Sequence, residues 1–377
     1  MTSNHLTIVQ VEGKPELKKF IKVPWYIYKN DPAWVPPLLF DKKLQLSPKN
    51  PFFQHAKARY WIAYRNGQPV GRISAQIDNL HIERYQDGCG FFGMLDAENN
   101  PETFAALLGT AEEWLRNQGM QQIRGPFSLS INQESGLLVD GFDTPPYIMM
   151  GHAQSHFAAH LTKLGYEKSK DLLAYLVEPW FKPPRAMNIA IKRTAGRITT
   201  RRLNRARIEE DMRLIGEIFN DAWSENWGFV PMTDDEIIQM GEELKFLVPT
   251  RGIIFAEVDG ETAAMIVALP NLNEIIADFN GRLLPLNWLK FLWHLKIRYP
   301  ETVRVPLMGV RKKFQHGTVG AALSFTLINQ VRQHITRMGG KKVELSWILE
   351  DNFAMRKILE AIGSELYKRY RIFQKKL

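Results

Sequence analysis

A strand, a turn of small residues and a long helix follow one another between residues 302 and 339, and this succession constrains the fold most. The apolar, β-rich run at 302–310 predicts a buried strand, and Leu323 and Leu327 continue after the turn at helical spacing. Glycines let a backbone approach a ligand, and the first N–H groups of a helix lie at the positive end of its dipole. The turn at 315–320 is therefore either a diphosphate site or an ordinary strand-to-helix turn of an α/β domain.

The spacing Val310-x4-Gln315-x4-Gly320 resembles the acyl-CoA loop of the GNAT acyltransferase superfamily. Downstream, a buried strand at 343–349, then Asn352, then a helix ending at Gly363 resembles the second signature of that family. The resemblance covers residues 203–377. It implies an α/β fold with a mixed, mostly antiparallel central sheet flanked by helices, and an acyl-CoA-dependent N-acyltransferase activity.

The resemblance also implies a set of positions that hold acetyl-CoA or another acyl-CoA, which is a substrate of such enzymes. Backbone or side-chain groups near the cofactor would come from Met308, Val310, Gln315, Gly317, Thr318, Val319, Gly320 and Asn352. Two positions depart from the family pattern. Thr318 takes the place of the first loop glycine, and Leu359 stands where many members carry a tyrosine acid.

Acyl transfer to an amine also needs a base for the acceptor ammonium. Glu344 and Glu350 flank the second-signature strand and are candidate catalytic residues. Each has an alternative role: Glu344 could face solvent, and Glu350 could cap the next helix. Asn352 is either a ligand contact or the N-cap of that helix. A polar loop in the first half contributes Glu134 as a third candidate base, with Asn132 and His152 as candidate substrate-binding residues. The spacing of these residue types predicts no metal site.

The first half of the chain repeats the pattern of the second. Its hairpin turn Asn66-Gly67 lies 193 residues before Asp259-Gly260, and Gly165 lies 198 residues before Gly363. This predicts a tandem duplication, with a GNAT-like domain at 1–180, a basic, Pro-containing linker at 181–202 and a second GNAT-like domain at 203–377. The first domain has an acidic segment at 96–101 in place of the glycine loop, and its carboxylates would repel a diphosphate.

Charge and composition limit the partners. Residues 182–207 contain nine basic and no acidic residues, so this stretch accounts for the whole formal charge of +9. A charge confined to one stretch is not typical of a protein that binds nucleic acid over its whole surface. The stretch itself is either a solvated linker or a site for nucleic acid, an anionic membrane or CoA phosphates. One cysteine, Cys89, and the lack of a signal-peptide core or long apolar run predict a cytoplasmic, soluble chain.

One insertion, at 283–298, has Leu289, Leu292, Trp293 and Ile297 at helical spacing. It is expected to pack against the other half or line an acceptor pocket; the alternative is a membrane-surface or acyl-chain contact.

The predicted function is acetyl transfer from acetyl-CoA to a small amine. The alternatives are a non-catalytic protein that binds acyl-CoA or another small ligand, and an RNA- or membrane-associated module that uses residues 182–207. The acceptor, the acyl length and the oligomeric state stay open at this stage.

Overall fold

The computed structural model describes residues 5–247 and 250–377, with the side chains of residues 243–247, 250 and 296 outside the description. The chain divides into two compact units, each built from separate segments. Unit 1 contains the residues up to Leu172, together with Ile276–Asn287 and Lys368–Leu377. Unit 2 contains Leu173–Ile275 and Trp288–Tyr367.

The main helices and strands predicted from the sequence are present, together with short elements that it did not predict. Those of the first half are β1 (Leu6–Gln10), α1 (Gly13–Lys22), α2 (Pro24–Ile27), α3 (Leu39–Gln45), α4 (Phe52–His55), β2 (Ala56–Arg65), β3 (Gln68–Asp78), α5 (Asn79–Tyr85), β4 (Cys89–Ala97), α6 (Pro101–Asn117), β5 (Gln122–Gly125), β6 (Phe127–Ser128), β7 (Glu134–Ser135), β8 (Leu137–Asp140), α7 (His156–Lys163) and β9 (Glu167–Val177). Those of the second half are α8 (Arg185–Arg193), β10 (Ile198–Arg202), α9 (Ile208–Ala222), α10 (Asp234–Leu247), β11 (Ile253–Val258), β12 (Glu261–Pro270), α11 (Leu272–Ile276), α12 (Asn287–Lys296), β13 (Thr302–Val310), α13 (Gly317–Arg337), β14 (Lys342–Leu349), α14 (Phe353–Ala361) and β15 (Glu365–Lys376).

The sheet of unit 1 is antiparallel from β1 through β4, and β4 then pairs with β5 in parallel. The next strand is β15, the C-terminal strand, which pairs Phe373 with Gly125 in the antiparallel sense. Tyr370, Ile372 and Phe373 of β15 are buried, so this strand contributes to the core of unit 1. Each such side chain contributes roughly 1.5–3 kcal/mol when fully buried.

The sheet of unit 2 has the order β9–β14–β13–β12–β11–β10, in which the second half of β9 belongs to this unit. The pairs from β10 to β13 are antiparallel, and β13 pairs with β14 in parallel. Helix α13 covers this sheet with Leu323, Leu327, Val331 and Ile335, all buried in one apolar cluster. This burial of every third or fourth residue confirms the helix that the apolar spacing predicts.

Local sequence explains the two hairpins. Asn66 and Gly67 have φ of 51° and 78°, and Asp259 and Gly260 have φ of 51° and 89°. Positive φ at both central residues is the geometry of a type I′ turn, which Asn-Gly and Asp-Gly favour. Both predicted hairpins, and with them the duplicated α/β pattern, are confirmed.

The segment predicted as a linker, 181–202, contains the ordered helix α8 and the edge strand β10. Met187 of α8 is buried, and β10 pairs Thr200 with Ala256 of β11. That 1–180 and 203–377 are separate domains stays a prediction. The compact units have other bounds, because most of β15 belongs to unit 1 and the second half of β9 to unit 2. In the described part of the chain, no helix has the length and apolar character needed to span a membrane.

Candidate functional site

Unit 2 contains a wedge-shaped cavity between its two parallel strands. Strands β13 and β14 pair only from Thr302 with Lys342 to Val305 with Leu345, although β13 continues to Val310 and β14 to Leu349. The separated ends border a cavity that encloses about 890 Å³, part of it open to solvent. Past Val305, β13 still pairs with β12 but pairs with no described strand on the cavity side, so its backbone N–H and C=O groups there can bind an extended ligand.

The wall of this cavity is largely apolar. The strands, helix α13, helix α14 and the segment after β9 contribute it, through Val177, Pro179, Phe181, Ile266, Val305, Pro306, Met308, Ile328, Val331, Ile335, Val343, Leu345, Ile348, Leu349, Met355, Leu359 and Ile362. Polar atoms come from Asn226, Arg332, Ser346 and Asn352, and two indoles from Trp223 and Trp347. An apolar cavity with a few polar groups at fixed positions is the usual form of a small-molecule site.

The loop between β13 and α13 has the closed geometry of an anion cradle. A 3₁₀ turn at Lys312–Phe314 follows β13, and Gln315 Nε2 donates a hydrogen bond of 2.8 Å to the carbonyl oxygen of Val310. Helix α13 starts at Gly317, whose φ is 75°. Gly320 lies so near the loop that a Cβ there would be 2.3 Å from the carbonyl oxygen of Gln315. The loop therefore packs directly on the first turn of α13, whose free N–H groups lie at the positive end of the helix dipole.

Three cations follow β13 in succession, and each is held by a carboxylate of unit 2. Arg311 pairs with Glu217 at 2.9 Å, Lys312 with Glu225 at 2.6 Å, and Lys313 with Glu261. The hydrogen bond from Lys312 lowers the pKa of the Glu225 carboxyl. Exposed ion pairs of this kind are screened by solvent and contribute little to stability, so they would offer little resistance to a phosphate that replaced these carboxylates.

The predicted cofactor residues lie in this loop and wedge. Met308 and Asn352 line the cavity, whereas Val310, Gln315, Gly317, Thr318, Val319 and Gly320 form the loop and the first turn of α13. Asn352 Oδ1 accepts a hydrogen bond of 3.1 Å from the N–H of Met355, so the prediction that Asn352 is an N-cap is confirmed. Leu359 is buried in the cavity wall, and no tyrosine hydroxyl is provided at that position.

Glu344 lies in a buried polar network beside the cavity. Its carboxylate accepts a 2.6 Å hydrogen bond from Ser346 Oγ, receives a hydrogen bond from the Tyr367 hydroxyl and lies 3.5 Å from Arg304 Nε. Arg304 Nε donates to Ser346 Oγ at 2.9 Å, and its guanidinium stacks 4.7 Å from the Trp347 ring. Glu344 is 0% exposed, so the alternative in which it faces solvent is wrong. Only Ser346 and Trp347 of this network line the cavity in the described part of the chain.

Glu344 is a candidate that the sequence pattern provides, whereas Arg304 and Ser346 are found only in the structure. The signal was an arginine in the middle of an apolar strand, since a buried arginine is rare unless it is paired. Glu350 is half-buried and lies outside the described cavity wall; its carbonyl oxygen accepts a 2.9 Å hydrogen bond from Arg356. The cap of α14 is Asn352, not the Glu350 side chain.

The corresponding position in unit 1 is filled by the chain itself. Strand β4 pairs with β5 from Cys89 to Phe91, and a Cβ on Gly93 would lie 1.7 Å from the carbonyl oxygen of Phe127. Gln76 Nε2 donates a 2.7 Å hydrogen bond to the same oxygen. Backbone thus occupies the space that is a cavity in unit 2. In the acidic segment, Asp96 is bound by Arg72 at 2.7 Å.

The three candidate residues of unit 1 lie around the β6–β7 loop. His152 Nε2 is 2.9 Å from Asp31 Oδ2, and its ring packs against Tyr28, whose hydroxyl donates to Asp96 at 2.6 Å. Glu134 is 3.5 Å from Lys42 Nζ. The Asn132 N–H donates a 3.2 Å hydrogen bond to Ser130 Oγ. The roles of Asn132, Glu134 and His152 in binding and catalysis stay predictions.

Cys89, the one cysteine, is buried in β4. Its burial raises the pKa of the thiol to about 12, so it is a poor nucleophile at neutral pH.

No protein-family model matches this chain. It is 48% identical over 368 residues to Protein YghO of Escherichia coli (strain K12), a match that covers 97% of this chain and 94% of the relative. It is 42% identical over 379 residues to the bacterial ceramide synthase of Caulobacter vibrioides (strain NA1000 / CB15N), covering 100% of this chain and 99% of the relative.

Solved structures show the fold. A tandem GNAT protein from the clavulanic acid biosynthesis pathway superposes with a TM-score of 0.57 at 14% identity, covering 99% of this chain and 98% of the other. A GCN5-related N-acetyltransferase from Sphaerobacter thermophilus gives a TM-score of 0.53 at 11% identity, covering 98% and 95%. These likenesses confirm the predicted tandem GNAT fold and, with the named relative, support acyl transfer as the general activity. The chain thus has the fold of tandem GNAT proteins and belongs to the family that includes Escherichia coli Protein YghO and the Caulobacter vibrioides bacterial ceramide synthase.

Proposed function

We propose that this protein transfers a long-chain acyl group from acyl-CoA to the primary amine of a long-chain base and so forms a ceramide-like amide. The apolar cavity between β13 and β14 is the observation that carries the proposal. Ceramide synthase, the name of a relative 42% identical over the whole chain, denotes the same kind of amide product.

The cavity favours a long acyl chain over the acetyl group expected from the sequence. Burial of each methylene contributes about 0.8 kcal/mol, so ten buried methylenes would contribute roughly 8 kcal/mol of gross affinity that acetyl-CoA lacks. The wall contains aliphatic side chains from both strands and both helices, such as Val305, Leu345, Ile328 and Leu359. A site used only for an acetyl group would have no need of such a wall.

The CoA part of acyl-CoA would extend from the cavity along helix α13 toward the loop at 315–320. Ile328 and Thr318 lie on the same helix ten residues apart, which corresponds to about 15 Å along its axis. A chain that lies beside Ile328 can therefore be joined by an extended arm to a diphosphate at the N-terminus of α13. The N–H groups near Thr318 and the cations at Arg311 and Lys312 would neutralise the diphosphate.

In the reaction, the neutral amine nitrogen attacks the thioester carbonyl carbon, the C–N bond forms and the C–S bond breaks. The oxyanion of the intermediate would be stabilised by backbone N–H groups of β13 near Met308, a contribution of a few kcal/mol in comparable sites. The thiolate of CoA would be protonated by solvent, because Leu359 is not an acid. A thiol pKa near 8.5 makes that thiolate an acceptable leaving group.

The proton of the acceptor ammonium needs a path to a base. Ser346 lines the cavity and its hydroxyl is hydrogen-bonded to Glu344. The hydroxyl would accept a proton from the amine while it passes its own to the carboxylate. Glu344, one of the three candidate bases, accepts a hydrogen bond from Ser346, a residue of the cavity wall. We assign Glu344 the role of proton acceptor and Ser346 that of relay.

The second candidate function is non-catalytic binding of acyl-CoA, which Leu359 favours because it replaces the tyrosine acid found in many GNAT enzymes. The two functions differ in turnover, not in binding. Long-chain acyl-CoA should bind in both cases, but free CoA and an amide appear only if the protein is an enzyme.

The test combines an acyl-chain series from acetyl- to stearoyl-CoA with an amine panel that includes a sphingoid base. Thiol release and the amide mass are measured for the wild type, Ser346→Ala and Ser346→Thr. We expect turnover with long chains only, a loss of about 10²-fold or more in Ser346→Ala and partial activity in Ser346→Thr, which keeps the hydroxyl. Efficient turnover of acetyl-CoA alone would refute the long-chain assignment, and binding without any amide would favour the second function.

A further inference from the structure

Helix α12 has an apolar face that is largely exposed in the described part of the chain. Trp288, Leu289, Leu292 and Trp293 are 42%, 51%, 41% and 46% exposed. They share one side of the helix, whereas Phe291, His294 and Leu295 on the other side are half-buried. The exposure of these four side chains favours the alternative expectation of a membrane-surface or acyl-chain contact, and the acceptor-pocket role stays a prediction.

This concentration is unusual for a protein surface. Nineteen large apolar side chains are exposed in the described residues, and seven of them lie between 284 and 297. Single exposed apolar residues are ordinary, but a contiguous group marks an interaction surface. The two tryptophans point to a specific kind of surface, since indoles are enriched where proteins meet the polar–apolar boundary of a bilayer.

Charge identifies the partner more closely. Residues 282–300 include four basic and no acidic residues, and both Lys290 and Arg298 are exposed beside the apolar face. Such a helix lies in the interface plane, with its apolar side chains among the acyl chains and its cations near anionic headgroups. At ten residues α12 is about 15 Å long, half the thickness of the hydrocarbon core, so it would lie on the membrane and not cross it.

We infer that α12 is an interfacial anchor that docks this protein on an anionic lipid bilayer. The observations that carry this are the four exposed apolar side chains, the adjacent cations and the absence of acidic residues in the segment. They do not depend on the proposed reaction, although a membrane-bound enzyme would have direct access to amphiphilic substrates.

The test is flotation of the full-length protein with vesicles of phosphatidylcholine, with and without phosphatidylglycerol, and no acyl-CoA present. The wild type should float with the anionic vesicles, and Trp288→Gln/Leu292→Gln/Trp293→Gln should lower the vesicle-bound to free ratio at least about tenfold. Lys290→Glu/Arg298→Glu should remove the preference for anionic lipid. The matched control, Val9→Thr/Ile238→Gln/Met338→Gln, changes exposed apolar residues elsewhere and should bind as the wild type does.

Equal flotation of the triple variant, or no flotation of the wild type, would overturn the inference. Sedimentation analysis without lipid adds a further outcome: a wild-type dimer that the triple variant dissociates, with no vesicle binding, would assign the face to a second copy of the chain. Circular dichroism checks that the triple variant is folded. Because the flotation contains no substrate, its failure is distinguishable from a failure of the acyl-transfer proposal.

Discussion

Substitution of Thr318 by glutamate tests the diphosphate site without disturbing the fold. Thr318 is exposed in the first turn of α13, so a longer side chain has room there. A negative charge in the first turn of a helix stabilises it by about 0.3–1 kcal/mol. The thermal midpoint of Thr318→Glu should therefore equal or exceed that of the wild type.

The same charge would oppose a bound diphosphate. With two phosphate charges at about 6 Å and an effective dielectric constant of about 40, the repulsion is roughly 3 kcal/mol. That corresponds to about a hundredfold increase in Kd for CoA, since about 1.4 kcal/mol is a factor of ten. Thr318→Gln, which has the same length without the charge, should bind CoA within a few-fold of the wild type.

The assay is calorimetric titration of CoA and of long-chain acyl-CoA into the wild type and both variants, with thermal unfolding in parallel. Unchanged affinity in Thr318→Glu would refute the placement of the diphosphate at this helix start. Equal weakening in both variants would show that size and not charge matters there. Added salt should reduce the difference between the two variants, because exposed charges are screened.

Three further outcomes follow from the geometry of unit 2. Gly320→Ala should lower the free energy of unfolding by about 1–3 kcal/mol, because its Cβ would lie 2.3 Å from the Gln315 carbonyl oxygen. Gly317→Ala should lower it by only about 1 kcal/mol. Denaturant titration measures both values. Ile328→Trp fills part of the cavity and should shift the preferred acyl chain to shorter lengths in the turnover series. Phe325 is half-buried on the same helix but lies outside the described cavity wall, so Phe325→Trp should leave the chain-length preference unchanged. Burial, aided by nearby arginines, lowers the pKa of His334 to about 4. Its neutral form stabilises the fold above about pH 6.5, and this stability, about 1–2 kcal/mol after allowance for solvent screening, is lost as the pH falls from there to about 4. His334→Gln should flatten that part of the stability–pH curve.

Much of the fold was accessible from sequence because its signals are local. The hairpin turns at Asn66-Gly67 and Asp259-Gly260, and the helix from Gly317, depend on residues that favour one backbone geometry. The duplicated order of strands and helices followed from those turns and from apolar periodicity. The loop at 315–320 was likewise visible, since its spacing matches a known pattern.

The features missed are those set by long-range packing. Nothing local to Gly93 shows that Phe127 closes the wedge of unit 1, because the contact joins residues that lie far apart in the chain. The pairing of β15 with β5 joins Phe373 to Gly125, two residues about 250 positions apart in the chain. Arg304 interacts with Glu344 and Ser346 of β14, and the strand register that brings these residues together is set by the pairing of β13 with β14.

In the proposed function, the wedge of unit 2 holds the acyl chain of a long-chain acyl-CoA. A crystal structure with a non-hydrolysable thioether analogue of palmitoyl-CoA would show whether it does. We expect the acyl chain between β13 and β14, in contact with Ile328 and Leu359, and the diphosphate at residues 315–320. An unoccupied wedge with the analogue bound elsewhere, or a wedge that collapses around an ordered CoA with its acyl chain in solvent, would contradict it.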